Sequence, residues 1–198
     1  MRKRLIGWVS LGVVLGLLAV PVLAQEQKQA GAEEMAAMMA AMTPGPHHQA
    51  MMKSVGKWTT TSKTWMQPGA PPTESTGTAT VEGLLDGRFI METSKSTLMG
   101  MPFEGRGIFG YDNTTKKHIG VWFDSFGTMM MYFEGTCDGA CKVTTLTSEY
   151  MDPMTKTMKK FKVVGKEVSP DETKSEMYDV AKDGTENKMM ELTYKRQK

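Results

Sequence analysis

From about residue 58 onward, apolar and polar positions alternate with a period of two, which is typical of half-buried β-strands. In GRFIMETSKST, for example, Arg88, Ile90 and Glu92 fall on one face and the residues between them on the other. About ten such segments follow one another, separated by turn signals such as DNTTK, DPMTK and KDGTE, with no long helix between them. We therefore predict that residues 43–198 form an all-β domain, an antiparallel up-and-down barrel of about ten strands.

The chain ahead of the strands has a different pattern. Residues 25–32 are polar and unpatterned, and we expect no regular structure there. Residues 33–42 are rich in Ala and Met, which favours a short helix that TPGP ends. Residues 47–55 suit a second short helix, which would cover an open end of the barrel. We thus expect a Met-rich lead over residues 25–42, partly helical or disordered.

The methionines of this lead recur at spacings of three and four residues, so they form one stripe on a helix: Met35, Met38, Met39 and Met42. Two interpretations are open. The stripe is a soft packing face, or its thioethers, together with His47 and His48, bind copper. We favour packing, because the chain has 20 methionines spread over its whole length.

The first 24 residues have the layout of a cleavable export signal. Arg2, Lys3 and Arg4 precede the apolar run LIGWVSLGVVLGLLAV, and small residues at Val22 and Ala24 predict cleavage after Ala24. The alternative is an uncleaved membrane anchor. We favour the signal, and so expect a periplasmic or secreted protein with no stable membrane anchoring after cleavage.

Charge gives no indication of a polyanionic partner. The whole chain carries a formal charge of +2, but without the three basic residues of the signal, 21 basic residues face 22 acidic ones. A nearly neutral mature chain gives no electrostatic reason to bind nucleic acid.

Two cysteines, Cys137 and Cys141, lie in GTCDGACKV. In an oxidising compartment a disulfide is the default prediction, and DGA is typical of a tight turn that would place the cysteines opposite each other at a hairpin end. A metal site would need two more ligands, and no other cysteine exists. We therefore predict a disulfide and no metal site.

Four segments carry a resemblance to a known family: GPHHQAMMKSVGKW, GLLDGRFIMET, GMPFEGRGIFGYDNTTKKHIGVWFDS and DGTENKMMELTYKR. Over residues 43–196 the chain resembles the bacterial domain of unknown function 1579 family. The resemblance implies a calycin-like antiparallel barrel, and it implies no activity, because the family is uncharacterised.

A second resemblance concerns one end of the barrel. GKW has the Gly-x-Trp pattern that opens the first strand of lipocalins, and lipocalins place an arginine of the last strand over that tryptophan. Here these residues are Trp58 and Arg196. Stacking of the guanidinium on the indole would close the barrel end through a cation–π contact. A buried Trp at a strand start is the plainer interpretation.

Several polar side chains recur on single strand faces and would form a ligand site if those faces point inward. The candidates are Arg88, Glu92, Arg106, His118, Trp122 and Asp124. If these faces point outward, the same residues are solvated or form ordinary surface ion pairs. Asp112 and Asn113 are expected to build a turn.

Enzymatic activity is not favoured by the sequence. His118 is the one histidine within the strands, the cysteines are predicted to be bonded, and no Gly-rich phosphate loop joins a strand to a helix. We predict non-catalytic binding of a small, partly apolar ligand, with no resident cofactor. The alternatives are metal handling by the Met/His lead, haem binding through His118, and an undetected enzyme.

Overall fold

A computed structural model describes residues 19–67 and 69–198, with side chains described from residue 28. The chain divides into two compact units, residues 1–42 and residues 43–198. Most of the predicted export signal, residues 1–18, lies outside the described residues. Among the described helices, none is both long and apolar enough to cross a membrane.

The described part of the first unit, from residue 19 onward, forms helix α1 (Ala19–Met42). This helix includes residues 25–32, for which the sequence pattern predicts no regular structure. Ala, Gln, Glu and Lys dominate that stretch, and their high helix propensity outweighs the missing apolar periodicity. The four methionines of the predicted stripe are each between 56% and 59% exposed.

The second unit is a closed barrel that begins with a short helix, α2 (Pro46–Met52). Ten strands follow: β1 (Gly56–Thr64), β2 (Thr73–Leu84), β3 (Phe89–Leu98), β4 (Met101–Asp112), β5 (Lys117–Asp124), β6 (Met131–Cys137), β7 (Val143–Met151), β8 (Met158–Ser169), β9 (Glu172–Val180) and β10 (Glu186–Arg196). Each strand pairs antiparallel with its sequence neighbours, and β1 pairs with β10 to close the barrel. The all-β, up-and-down, ten-stranded prediction is confirmed.

The strand register separates an inner from an outer face. Trp58 of β1 pairs with Ala79 of β2 on one side and with Arg196 of β10 on the other. Trp58, Ala79 and Val81 are nearly fully buried and form the core cluster, against which Val55, Ile90 and Tyr194 pack. The core therefore lies at the end of the barrel where β1 begins.

Glycines on the inner face make room for large rings. A Cβ at Gly105 would collide with the Trp122 indole, and one at Gly120 would collide with the Phe109 ring. The sequence places these glycines inside strands, and the barrel uses them to hold aromatic side chains flat against the interior wall.

Candidate ligand cavity and the histidine–cysteine cluster

The end of the barrel that carries α2 is called here the helix end. Pro46 occupies the first helical turn, where a missing N–H costs nothing. His48 is buried, and its Nδ1 accepts a hydrogen bond from the Gly45 N–H at 3.0 Å. The Asn113 amide donates to the Thr43 carbonyl at 2.7 Å, which ties the segment before α2 to the β4–β5 turn. These contacts seat α2 on the barrel.

Arg196 and Trp58 connect the last strand to the first at this end. The Arg196 guanidinium lies over the indole, 4.1 Å from the ring centroid. It also donates to the carbonyls of Val55 at 2.8 Å and Lys53 at 2.7 Å, just after α2. The Trp58 Nε1 donates to the Ser54 carbonyl at 2.9 Å. The stacked side chains of Arg196 and Trp58 thus link strands β1 and β10 to the connection between α2 and β1.

A cavity of about 600 Å³ lies at the helix end. Its apolar lining includes Trp58, Ile90, Phe109 and Leu146, and α2 contributes Met51. Polar groups of the strand ends and turns also border it. A volume in this range holds a small organic molecule rather than a single water.

His118 is the polar group of this cavity that most needs an explanation. It is only 6% exposed, and its Nε2 is buried without a hydrogen-bond partner in the described part of the chain. Burial lowers the pKa of His118, with further lowering from the nearby His47 and His48. The imidazole is therefore neutral at neutral pH, with one nitrogen available as a donor and the other as an acceptor.

Beside the cavity, His118 is part of a compact cluster with His47, Cys137 and Cys141. One potential ligand atom from each of the four lies within 4.8 Å of all the others. The His47 Nδ1 is 3.0 Å from the Cys141 Sγ and 3.4 Å from the Cys137 Sγ. The sequence pattern does not predict this cluster: it offers no further cysteine beside Cys137 and Cys141, and it groups His47 with the covering helix or with the methionines of the lead rather than with the cysteines.

Cys137 and Cys141 are joined in a disulfide, as predicted, but their placement in the hairpin differs from the prediction. Cys137 is the last residue of β6 and pairs with Thr144, whereas Cys141 lies in the connecting loop with a φ of +50°. Asp138 stabilises this loop by accepting hydrogen bonds from the backbone N–H groups of residues 142 and 143. The turn is therefore longer than DGA, and the cysteines do not face each other across the strands.

The six predicted ligand residues do not converge on one site. Of the six, only His118 borders the helix-end cavity. Glu92 faces the interior, where its carboxyl accepts hydrogen bonds from Ser94 at 2.6 Å and Tyr194 at 3.0 Å. Burial raises the pKa of Glu92, and burial together with the Glu92 carboxyl raises that of Tyr194. Glu92 is thus a core group that already has partners.

Trp122 and Asp124 also face inward but lie toward the opposite end of β5. The Trp122 Nε1 donates to the Asp124 carboxylate at 3.1 Å, and the Phe126 N–H donates to it at 2.9 Å. These contacts hold the start of the β5–β6 connection. Since side chains along a strand advance by about 3.3 Å per residue, Asp124 is roughly 20 Å from His118.

The two arginines do not border the helix-end cavity. Arg106 points outward and is exposed, because its neighbours Gly105 and Gly107 occupy the inward positions. It forms an ion pair with Glu104 at 2.8 Å. Arg88 lies in the turn before β3, where its guanidinium donates to the Leu85 carbonyl at 3.1 Å. The alternation pattern shows which side chains share a face of the strand, but it does not show which of the two faces points into the barrel.

A second cavity, of about 680 Å³, lies at the opposite end of the barrel. Ser and Thr side chains of β1 and β2 dominate its lining, with Met66 and Met99 from the connecting loops. Further exposed methionines lie on connections and strand ends at this same end: Met101, Met129, Met130, Met151, Met154 and Met158. These eight of the chain's 20 methionines give this rim an exposed thioether surface.

Fold and geometry define a closed ten-stranded antiparallel barrel with a helix-covered interior cavity. Its sequence matches the model of the family described as "Protein of unknown function (DUF1579)" over residues 43–196. The chain belongs to this family, as the sequence motifs predict. A search of curated proteins finds no significant match.

Among solved structures, the crystal structure of Rv2717c from M. tuberculosis is similar with a TM-score of 0.59 and 15% identity, over 79% of this chain and 100% of that one. A redesigned β-barrel aligns over 75% of this chain and 96% of its own, with 15% identity and a TM-score of 0.40. A de novo designed fluorescence-activating β-barrel aligns over 75% of this chain and 97% of its own, with 17% identity and a TM-score of 0.40. The likeness to Rv2717c supports the barrel fold alone.

Proposed function

We propose that this protein binds a small, partly apolar molecule in the helix-end cavity, without catalysis. The observation that carries the proposal is the buried, unpartnered Nε2 of His118 beside a cavity of about 600 Å³. A buried polar atom without a partner costs roughly 1–3 kcal/mol, so such atoms mark places where another molecule supplies the hydrogen bond.

The lining suggests the chemistry of the ligand. Trp58, Ile90 and Phe109 offer an indole, an aliphatic chain and a phenyl ring against which an apolar body can pack. His118 offers one polar contact. Lys142 and Lys166 also border the cavity, together with the carboxylates of Glu167 and Asp171, so its rim offers partners to groups of either charge.

Two further parts of the proposal rest on sequence features. We infer that the barrel is of the calycin type, which is supported by its sequential closed topology and by the Gly-x-Trp opening with Arg196 over Trp58. We also infer that the protein acts in the periplasm or outside the cell, which is supported by the signal layout of residues 1–24.

The test uses 1-anilinonaphthalene-8-sulfonate, an aromatic anion whose fluorescence rises in apolar surroundings. Leu146→Trp places a large side chain in the cavity, because Leu146 faces inward and lines it. The matched control is Thr147→Trp, one residue along on the outward face of the same strand. We expect saturable binding to the native protein, a loss of affinity of more than about tenfold in Leu146→Trp, and no change in Thr147→Trp.

Equal binding by native protein and Leu146→Trp, with melting temperatures intact, would refute the cavity as the binding site. Absence of any saturable binding would refute the proposal for aromatic anions. Native mass spectrometry of the protein as purified identifies a retained ligand. A visible absorption spectrum separates haem, the porphyrin alternative raised by His118, from colourless occupants.

A further inference from the structure

The histidine–cysteine cluster has the composition of a tetrahedral zinc site. It brings together two imidazoles and two sulfurs from three separate parts of the barrel: His47 from α2, His118 from β5, and the two cysteines from the β6–β7 hairpin. Cys₂His₂ is a standard ligand set for structural Zn²⁺. The proposed organic ligand does not require this combination, so the cluster needs its own explanation.

The distances suit one shared ion. Zn–S bonds of about 2.3 Å and Zn–N bonds of about 2.0 Å at tetrahedral angles place neighbouring ligand atoms roughly 3.3–3.8 Å apart. The His47 Nδ1 already lies 3.0 Å and 3.4 Å from the two sulfurs. Once the sulfurs are no longer bonded to each other, side-chain movements of an ångström or two bring all four atoms to these separations.

The surroundings hold the ligands in place independently of the disulfide. The His47 ring stacks on Tyr111 with centroids 4.0 Å apart and an angle of 9°, and His118 packs edge-on against the same Tyr111 ring. The Cys141 N–H donates to the Asp138 carbonyl at 2.8 Å, and the Asp138 carboxylate accepts two further backbone N–H groups. The hairpin loop therefore keeps its shape when the sulfur–sulfur bond is broken.

We propose that the dithiol form of this protein binds one Zn²⁺ through His47, His118, Cys137 and Cys141. A dithiol reductant breaks the Cys137–Cys141 bond, becomes a disulfide itself, and leaves two thiols. These thiols lose two protons as the ion binds. In reverse, a disulfide oxidant takes two electrons from the zinc-bound thiolates; the protein disulfide re-forms, the oxidant leaves as two thiolates, and Zn²⁺ is released. The site goes beyond the proposed ligand binding, with which it shares His118.

The test uses Co²⁺, whose visible spectrum distinguishes tetrahedral from octahedral coordination, followed by displacement with Zn²⁺. Full-length protein is reduced with a dithiol, freed of reductant without air, and titrated with the metal alone. We expect one equivalent to give tetrahedral cobalt bands and a thiolate-to-cobalt charge-transfer band. Oxidised native protein, identical in sequence, is the first control and should give neither.

Histidine variants test the ligand set. His47→Gln and His118→Gln each remove one ligand and should weaken Co²⁺ binding by more than about tenfold in the reduced protein. His48→Gln changes the adjacent histidine, whose Nδ1 serves the α2 start, and should retain the tetrahedral spectrum. Circular dichroism verifies that each variant keeps its strands.

Three results would overturn the zinc site: an octahedral spectrum in reduced native protein, equal binding by the oxidised form, or unchanged affinity in both His47→Gln and His118→Gln. Because the titration uses no organic probe, failure of the zinc site leaves the anilinonaphthalene result unaffected. Conversely, a protein that binds cobalt but not the organic probe retains the metal site and loses the proposed function.

Discussion

Removing the Arg196 side chain tests how the barrel closes at the helix end. Arg196 lies over the Trp58 ring at 4.1 Å and donates to the carbonyls of Val55 at 2.8 Å and Lys53 at 2.7 Å. Its Nε also donates to the Pro170 carbonyl at 3.2 Å and pairs with the exposed Asp171 carboxylate at 3.3 Å. Arg196→Ala loses all of these contacts at once. Arg196→Lys keeps the charge but loses the planar fork, so one ammonium cannot satisfy both carbonyls while stacking on the ring.

The structure gives a magnitude. A cation–π contact contributes about 0.5–2 kcal/mol, and a hydrogen bond from a charged donor about 1.5–3 kcal/mol. The Arg196 side chain is 26% exposed, so water partly replaces it and the lower values apply. We expect Arg196→Ala to lower the free energy of unfolding by about 3 kcal/mol and Arg196→Lys by roughly half of that. A loss of about 3 kcal/mol corresponds to roughly 6–12 °C in Tm.

Urea unfolding followed by tryptophan fluorescence and by far-ultraviolet circular dichroism measures the change. Lys195→Ala is the matched control, since Lys195 is adjacent, exposed and outward, and should stay within about 0.5 kcal/mol of the native protein. A free energy of unfolding for Arg196→Ala as close to native as this control would refute the reasoning. So would an Arg196→Lys variant of full native stability, because it would show that the fork geometry contributes nothing.

Three further predictions follow from the interior and the lead. Because burial raises the pKa of Glu92 above its ordinary 4.5, the folded state holds this proton more tightly than the unfolded state, so stability falls as pH rises above about 4.5. Glu92→Gln should remove that slope in urea titrations across pH, and an unchanged slope would contradict the assignment. Gly135→Ala should destabilise by about 1–3 kcal/mol, because its Cβ would collide with the Thr145 carbonyl, whereas Gly165→Ala has room and should be neutral within about 1 kcal/mol. Equal losses of stability in Gly135→Ala and Gly165→Ala would show that replacing any strand glycine destabilises the barrel, whether or not the new Cβ collides with a neighbour. A chain starting at Thr43 should keep the native Tm, since it contains the whole barrel unit; a large drop would assign α1 a structural role.

The fold was accessible from the sequence because antiparallel strands leave a local signal. Period-two alternation and frequent turns fix the number and order of strands without any long-range information. In residues 25–32 two local signals conflict: the polar, aperiodic pattern predicts no regular structure, whereas the residues have high helix propensity, and the segment is helical.

The site was accessible only in part, because it depends on register. The alternation correctly groups Arg106 with Glu104, but only the packing of Trp122 over Gly105 decides that this group faces outward. The cluster of His47 with Cys141 joins residues that are far apart in sequence. Their proximity follows from where α2 sits on the closed barrel, which no local pattern encodes.

The pairing of β1 with β10 also determines when the barrel can form during synthesis. Trp58 of the first strand has its partner at residue 196, so one edge of β1 stays open until the last strand has been made. Contacts this distant in sequence close late and slowly, since the entropy of a long loop is lost before they form. A chain that stops before residue 186 would leave β1 and β9 as two unpaired edges, which are templates for aggregation.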